Sequence, residues 1–168
     1  MELFSAHGGP LGCYELAYNG ACAQIGLDQF GPATELLEEA LELSTRALQA
    51  EDGADAVDED ELEAEQAAIK TQRAYVSQRS GDEAAAAEAY TAVLRVKGHE
   101  SIDNTVAAVA ANNLVALRGD RDLFDSAKRL RAALGEAVAA KLSPAQKHAA
   151  MYNQALLAWH MSKPQQCR

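Results

Sequence analysis

The sequence predicts an all-α fold in which helical hairpins stack side by side as an α-solenoid, and three observations carry that prediction. The chain of 168 residues is 48% apolar but only 5% aromatic, with much alanine and leucine, a composition typical of packed helices. No stretch alternates apolar and polar residues between turn signals, so strands are not expected. Apolar residues instead recur every three or four positions in paired stretches, and glycine or proline punctuates the joins.

The segment from Asn104 to Lys128 shows the unit most clearly. Val106, Val109, Ala110, Leu114 and Leu117 form one stripe, and nothing between Thr105 and Leu117 breaks a helix. Gly119 can close that helix in the left-handed conformation, and Asp120 or Asp122 can offer a carboxylate to the free N–H groups of the next. That second helix is expected to carry Leu123, Phe124, Ala127 and Leu130 inward. A lone hairpin cannot cover its own apolar faces, so it needs neighbours of the same kind.

The remaining elements follow in order. Residues 1–11 form an N-terminal segment, and hairpins are expected at about 12–50, 60–97, 102–134 and 144–168, the last truncated. Gly12 to Ile25 is the first helix, and Gly31-Pro32 opens the second, where proline costs no hydrogen bond. Ala33, Leu36, Leu37, Ala40, Leu41, Ala47 and Leu48 make that second helix amphipathic. Residues 51–59 read as an acidic, solvated linker. A third helix is expected from near Asp60 to Ser80, and Gly81-Asp82 turns into a fourth with Ala86, Ala89, Tyr90 and Val93 inward. Ser143-Pro144-Ala145-Gln146 is a capping-box start for the seventh helix, whose Tyr152, Ala155, Leu156 and Trp159 share a stripe. Lys163-Pro164 should end it, and Gln165 to Arg168 reads as the start of a further helix, as in a fragment.

Charge and motifs narrow the function. A formal charge of −10 argues against a phosphate-backbone grip, which needs clustered Lys and Arg. The N-terminus lacks a basic start followed by an apolar block, and no apolar run is long enough for a membrane helix. Cys13, Cys22 and Cys167 are an odd set without a CxxC pair, which suits free thiols in a reducing compartment. The four histidines have no metal spacing, and no phosphate loop or Gly-x-Ser-x-Gly is present, so neither an enzyme nor a cofactor is expected.

Internal similarity supports repetition. Tyr18-Asn19-Gly20-Ala21 is echoed by Tyr152-Asn153-Gln154-Ala155, with Gln72-Arg73-Ala74 and Asn113-Leu114-Val115 at comparable places. Alanine lies early in each complete second helix, at Ala33, Ala86 and Ala127. The pattern resembles a tetratricopeptide (TPR) repeat, although the steps from Asn19 to Gln72, Asn113 and Asn153 all exceed the usual period of about 34 residues.

Several stretches together resemble a particular family. They are YELAYNGACAQIG (Tyr14 to Gly26), AYVSQRSGDEAAAAEAY (Ala74 to Tyr90), AANNLVALRGDRDLFDSAKRL (Ala110 to Leu130) and KLSPAQKHAAMYNQALLAWHMSKPQQCR (Lys141 to Arg168). In this order they are similar to the TPR region of the seventy-two-kilodalton protein subunit of the signal recognition particle. Gly98, where such repeats often have proline, and the acidic insert depart from that pattern. The resemblance implies a cytoplasmic concave scaffold that holds a segment of the sixty-eight-kilodalton subunit, in targeting proteins to the endoplasmic reticulum. It implies RNA contact only through a basic region absent from this chain.

Carried onto this sequence, the TPR register places Tyr18, Asn19 and Cys22, then Thr71, Gln72, Tyr75 and Gln78, then Asn112, Asn113 and Ala116, then Tyr152, Asn153, Leu156 and Trp159 toward the groove. Amides can hold a bound backbone, and tyrosine and tryptophan offer apolar area with a polar edge. The same residues have plainer readings: Tyr75 and Trp159 as core, Cys22 as a small buried residue, and Asn19, Asn113 and Asn153 as partners for backbone groups between hairpins. An unrelated TPR adaptor of the co-chaperone type is the alternative, and the missing basic clamp for a terminal carboxylate counts against it.

Overall fold

The computed structural model describes residues 13–52, 57–96 and 102–162, and it is all-helical there. The helices are α1 (Tyr14–Gly26), α2 (Phe30–Asp52), α3 (Glu59–Glu65), α4 (Ala67–Arg79), α5 (Glu83–Val93), α6 (Asn104–Arg118), α7 (Leu123–Ala133), α8 (Glu136–Ala139) and α9 (Pro144–His160). Helices α1 and α2, α4 and α5, and α6 and α7 pair as hairpins. Adjacent hairpins meet where α2 lies on α4 and α5 lies on α6, and α9 packs against α6 and α7. This succession of paired helices is consistent with a helical solenoid. No helix among the described residues is long and apolar enough to cross a membrane.

Small residues set the spacing of the first hairpin. Ala17 and Ala21 of α1 meet Ala33, Leu37 and Ala40 of α2, and Ile69 and Val76 of α4 close the same cluster. The turn is reinforced by Arg79, whose guanidinium pairs with Asp28 at 2.8 Å and lies over the Phe30 and Tyr75 rings. The second cluster joins α4, α5 and α6 through Ala74, Ala86, Tyr90, Val93, Ala110 and Leu114. Val115, Leu130 and Leu157 bring α9 into the third.

The end signals are mostly where the sequence places them. Gly119 closes α6 at φ 58°, and Asp82 caps α5 by accepting from Ala85 N–H at 3.1 Å. Ser143 and Gln146 form both halves of the capping box, at 3.2 and 2.9 Å.

Four expectations change. The third helix is not continuous: it divides into α3 and α4 at Gln66, whose buried amide nitrogen lies within hydrogen-bonding distance of Leu41 O, Ser44 Oγ and Thr45 Oγ1 on α2. Satisfying those buried acceptors fixes where the chain bends. Asp58 starts α3 by accepting from Asp60 N–H, so the linker is shorter than 51–59. Asp122 stands at the start of α7 with φ 51° and makes no side-chain cap, because a capping carboxylate reaches the free N–H groups from extended backbone. Phe124 is 81% exposed; it follows Leu123 by one residue, about 100° around the helix, and so leaves the face that buries Leu130. The expected stop at Lys163-Pro164, the further helix at 165–168 and Gly98 lie outside the described residues.

Candidate protein-binding cleft

The first helices of three hairpins and the start of α9 converge on a cleft of about 360 Å³. Thr71, Gln72 and Tyr75 of α4 and Asn112 and Asn113 of α6 line it, and all five were expected to face a groove. The remaining wall is mostly small and apolar: Ile25 of α1, Ala108 and Val109 of α6, Leu142, and Ala145, Ala149 and Ala150 of α9, with Gln146 as the one further polar residue. No lining residue is charged.

Why these side chains meet follows from helix geometry. Gln72 and Tyr75 are three apart on α4, and Val109, Asn112 and Asn113 are three and four apart on α6, so each set shares a face. Thr71 is buried and its hydroxyl donates to Ala67 O of its own helix at 2.7 Å, leaving its methyl as the wall. Tyr75 Oη accepts from Arg79 Nη1 at 2.9 Å.

The amides do more than line the wall. Asn153 Nδ2 donates to Asn112 Oδ1 at 2.9 Å, Asn112 Nδ2 to Asn113 Oδ1 at 3.3 Å, Asn113 Nδ2 to Tyr90 Oη at 3.1 Å, and Tyr90 Oη to Gln78 Oε1 at 3.0 Å. Donors and acceptors run head to tail from α9 through α6 and α5 to α4. A bond in such a chain polarises the next, so the set ties four helices together in one register. Burial pushes the Tyr90 phenol up to about 12, so it stays protonated as the donor this chain requires. Asn112, Asn113, Asn153 and Gln78 are therefore bonded to other side chains, not to the backbone groups that the plainer reading of Asn113 and Asn153 expected.

On α1, burial raises the Tyr18 phenol and the Cys22 thiol above their ordinary values. Tyr18 is half-buried, hydrogen-bonds Gln72 and Cys22, and packs on the first hairpin's core. Neither it nor Cys22 lines the cleft. Asn19 and Ala116 are exposed outside it.

Helix α9 departs furthest from expectation. Tyr152 is 65% exposed, Leu156 39% and Trp159 71%, and none of them borders the cleft. The face that does so carries Gln146 and Ala149, three apart, and Asn153 follows one turn later beyond the lining. It lies on the order of 90° from the Tyr152 and Trp159 stripe. Asn153 pairs with Asn112, and Tyr152, Leu156 and Trp159 stand exposed outside the cleft. Ile25, Val109, Leu142, Ala145, Gln146, Ala149 and Ala150 were not anticipated. The capping box at Ser143 was the available signal, because it fixes how α9 begins and hence which first-turn residues face α6.

Comparison with known proteins points the same way as the motifs. Signal recognition particle subunit SRP72 of Canis lupus familiaris and that of Homo sapiens are each 38% identical to this chain over 157 residues, 94% of the chain and 22% of the relative. SRP72 of Caenorhabditis elegans is 34% identical over 155 residues, 92% of the chain and 23% of the relative. No protein-family profile matches the chain. The chain thus spans less than a quarter of the length of these relatives. Over nearly all of its own length, it is homologous to a segment of signal recognition particle subunit SRP72.

Proposed function

We propose that this chain is part of a protein-interaction scaffold of the signal recognition particle, built on TPR-like hairpins. In this reading it holds a neutral segment of the sixty-eight-kilodalton subunit in the cleft among α1, α4, α6 and α9, in co-translational targeting to the endoplasmic reticulum from the cytoplasm. The observation that carries the reading is the cleft's chemistry. Small apolar residues offer area to a partner side chain; Gln146 Oε1 is held in the capping box and Gln72 meets Tyr18, and the remaining amide groups of these two can meet a bound backbone. A wall without Lys or Arg has nothing to hold a terminal carboxylate, which counts against a co-chaperone-type adaptor. The particle's RNA is contacted through other regions of the subunit.

The test is a calorimetric titration of the chain with the C-terminal part of the sixty-eight-kilodalton subunit, with the particle's RNA as control. Saturable binding to the protein and none to the RNA is expected. Binding to neither, or to RNA alone, contradicts the proposal.

A further inference from the structure

The overall charge conceals a division. Residues 1–96 hold five Lys or Arg and nineteen Asp or Glu, whereas residues 97–168 hold ten and six. The excess positive charge gathers on α7. Phe124, Lys128 and Arg131 are spaced i, i+4 and i+7, so they form one outward stripe, and all three are exposed. Lys128 and Arg131 make no ion pair among the described residues.

Beside this stripe is a second cleft, of about 370 Å³, between α6, α7 and α8. Ala107, Ala111, Ala133 and Val138 give it an apolar floor, and Lys128 and Arg129 stand at its edge. Asp125 accepts from both Arg129 Nε at 2.7 Å and Arg118 Nη1 at 2.6 Å through one carboxylate oxygen. One negative charge thus orients two positive ones and leaves the edge positive. The first cleft is uncharged, and this one is not.

We propose that the α7 face, from Phe124 to the cleft beneath Lys128 and Arg129, docks an acidic protein segment that inserts one aliphatic side chain among the alanines. Carboxylates of the segment meet Lys128 and Arg131, while Phe124 covers its apolar side. A nucleic acid fits less well. Only Lys128 and Arg131 are uncommitted there, Arg121 being bound to the Leu117 and Arg118 carbonyls. An alanine-floored cleft offers a phosphate nothing, whereas it accepts an aliphatic side chain. Charge complementarity with a basic, apolar-floored site selects the acidic segment.

The test uses the full chain and fluorescence anisotropy with three labelled probes: a polyglutamate peptide with one central leucine, the same peptide with lysine for glutamate, and a polyuridine oligonucleotide. Saturable binding of the acidic probe alone is expected, weakening as salt rises. Lys128→Glu with Arg131→Glu should weaken it about tenfold. Ala132→Phe, at an exposed position lining the cleft, should weaken it while leaving the melting temperature unchanged. Replacing the probe's leucine with serine should do the same. Absence of binding, equal affinity in the charge-reversed variant, or preference for polyuridine overturns the proposal.

Discussion

The seam between the first hairpin and α4 and the seam between α6 and α9 do the same job with different chemistry. The first is closed chiefly by Ala21, Ala33, Leu37, Ala40 and Ile69, apolar contacts that are non-directional and tolerate small adjustments, with the Gln66 bonds to α2 at one end and the Arg79–Asp28 pair at the other. The second adds to the packing of Val115, Leu130 and Leu157 a donor chain from Asn153 through Asn112, Asn113 and Tyr90 to Gln78. That chain allows one register only, and it pre-positions the cleft wall. The apolar seam supplies stability, and the polar seam supplies placement.

The largest effect expected from breaking this contrast is on the apolar side. Leu37 is fully buried, and Leu37→Ala should cost about 2–5 kcal/mol in denaturant unfolding through lost transfer energy and the cavity left behind. On the polar side, Tyr90→Phe removes one hydroxyl yet strands Gln78 Oε1 and Asn113 Nδ2, and should cost about 1–3 kcal/mol. The same variant sharpens the assignment through pH. The folded phenol titrates near 12, above its ordinary value of 10.0, so its contribution is complete below pH 10 and is lost as pH rises toward 12. Wild-type stability should fall across that window more steeply than that of Tyr90→Phe. Asn153→Ala, at the half-buried end of the chain, should cost about 1 kcal/mol. It should also shift the amide resonances of the α9 first turn more than those of α1.

The smallest effect concerns the α7 surface. Hydrogen bonds from Arg129 and then Arg118 hold the Asp125 carboxyl below its ordinary value of 3.8. Its stabilising contribution is therefore present above that value and is lost as pH falls through the lower, folded one. Asp125→Asn should leave neutral-pH stability almost unchanged, since these pairs are partly exposed. Acid unfolding curves of the two proteins should converge below pH 3.8.

Which of the two seams could be read from sequence follows from their chemistry. Ala33, Leu37, Ala86 and Tyr90 announce burial by spacing alone, and Gly119, Asp82 and the Ser143 box announce where helices end. Such signals are local. Gln66 divides a helix because of acceptors on α2 that lie more than twenty residues away in sequence, and a single-sequence period carries no trace of them. Asn112, Asn113 and Asn153 were legible as special, but the bonds of Asn112 to Asn153 and of Asn113 to Tyr90 reach side chains of other helices, so that pairing was not. On α9 the structure turns Gln146 and Ala149 to the cleft and leaves Tyr152 and Trp159 exposed beside it. Phe124 failed for the related reason that an apolar residue beside a buried one is read inward, although a helix turns it about 100° away.

The uncharged cleft as the partner site is the central claim, and one paired titration tests it most directly. Val109→Arg places a cation in the cleft wall, whereas Trp159→Ala removes the exposed aromatic on the adjoining outer face of α9. With the C-terminal part of the sixty-eight-kilodalton subunit in the calorimeter, Val109→Arg should weaken binding at least about tenfold at an unchanged melting temperature, and Trp159→Ala should bind as wild type. Loss of affinity in Trp159→Ala with Val109→Arg unaffected would contradict the account and move the site to the outer stripe of α9.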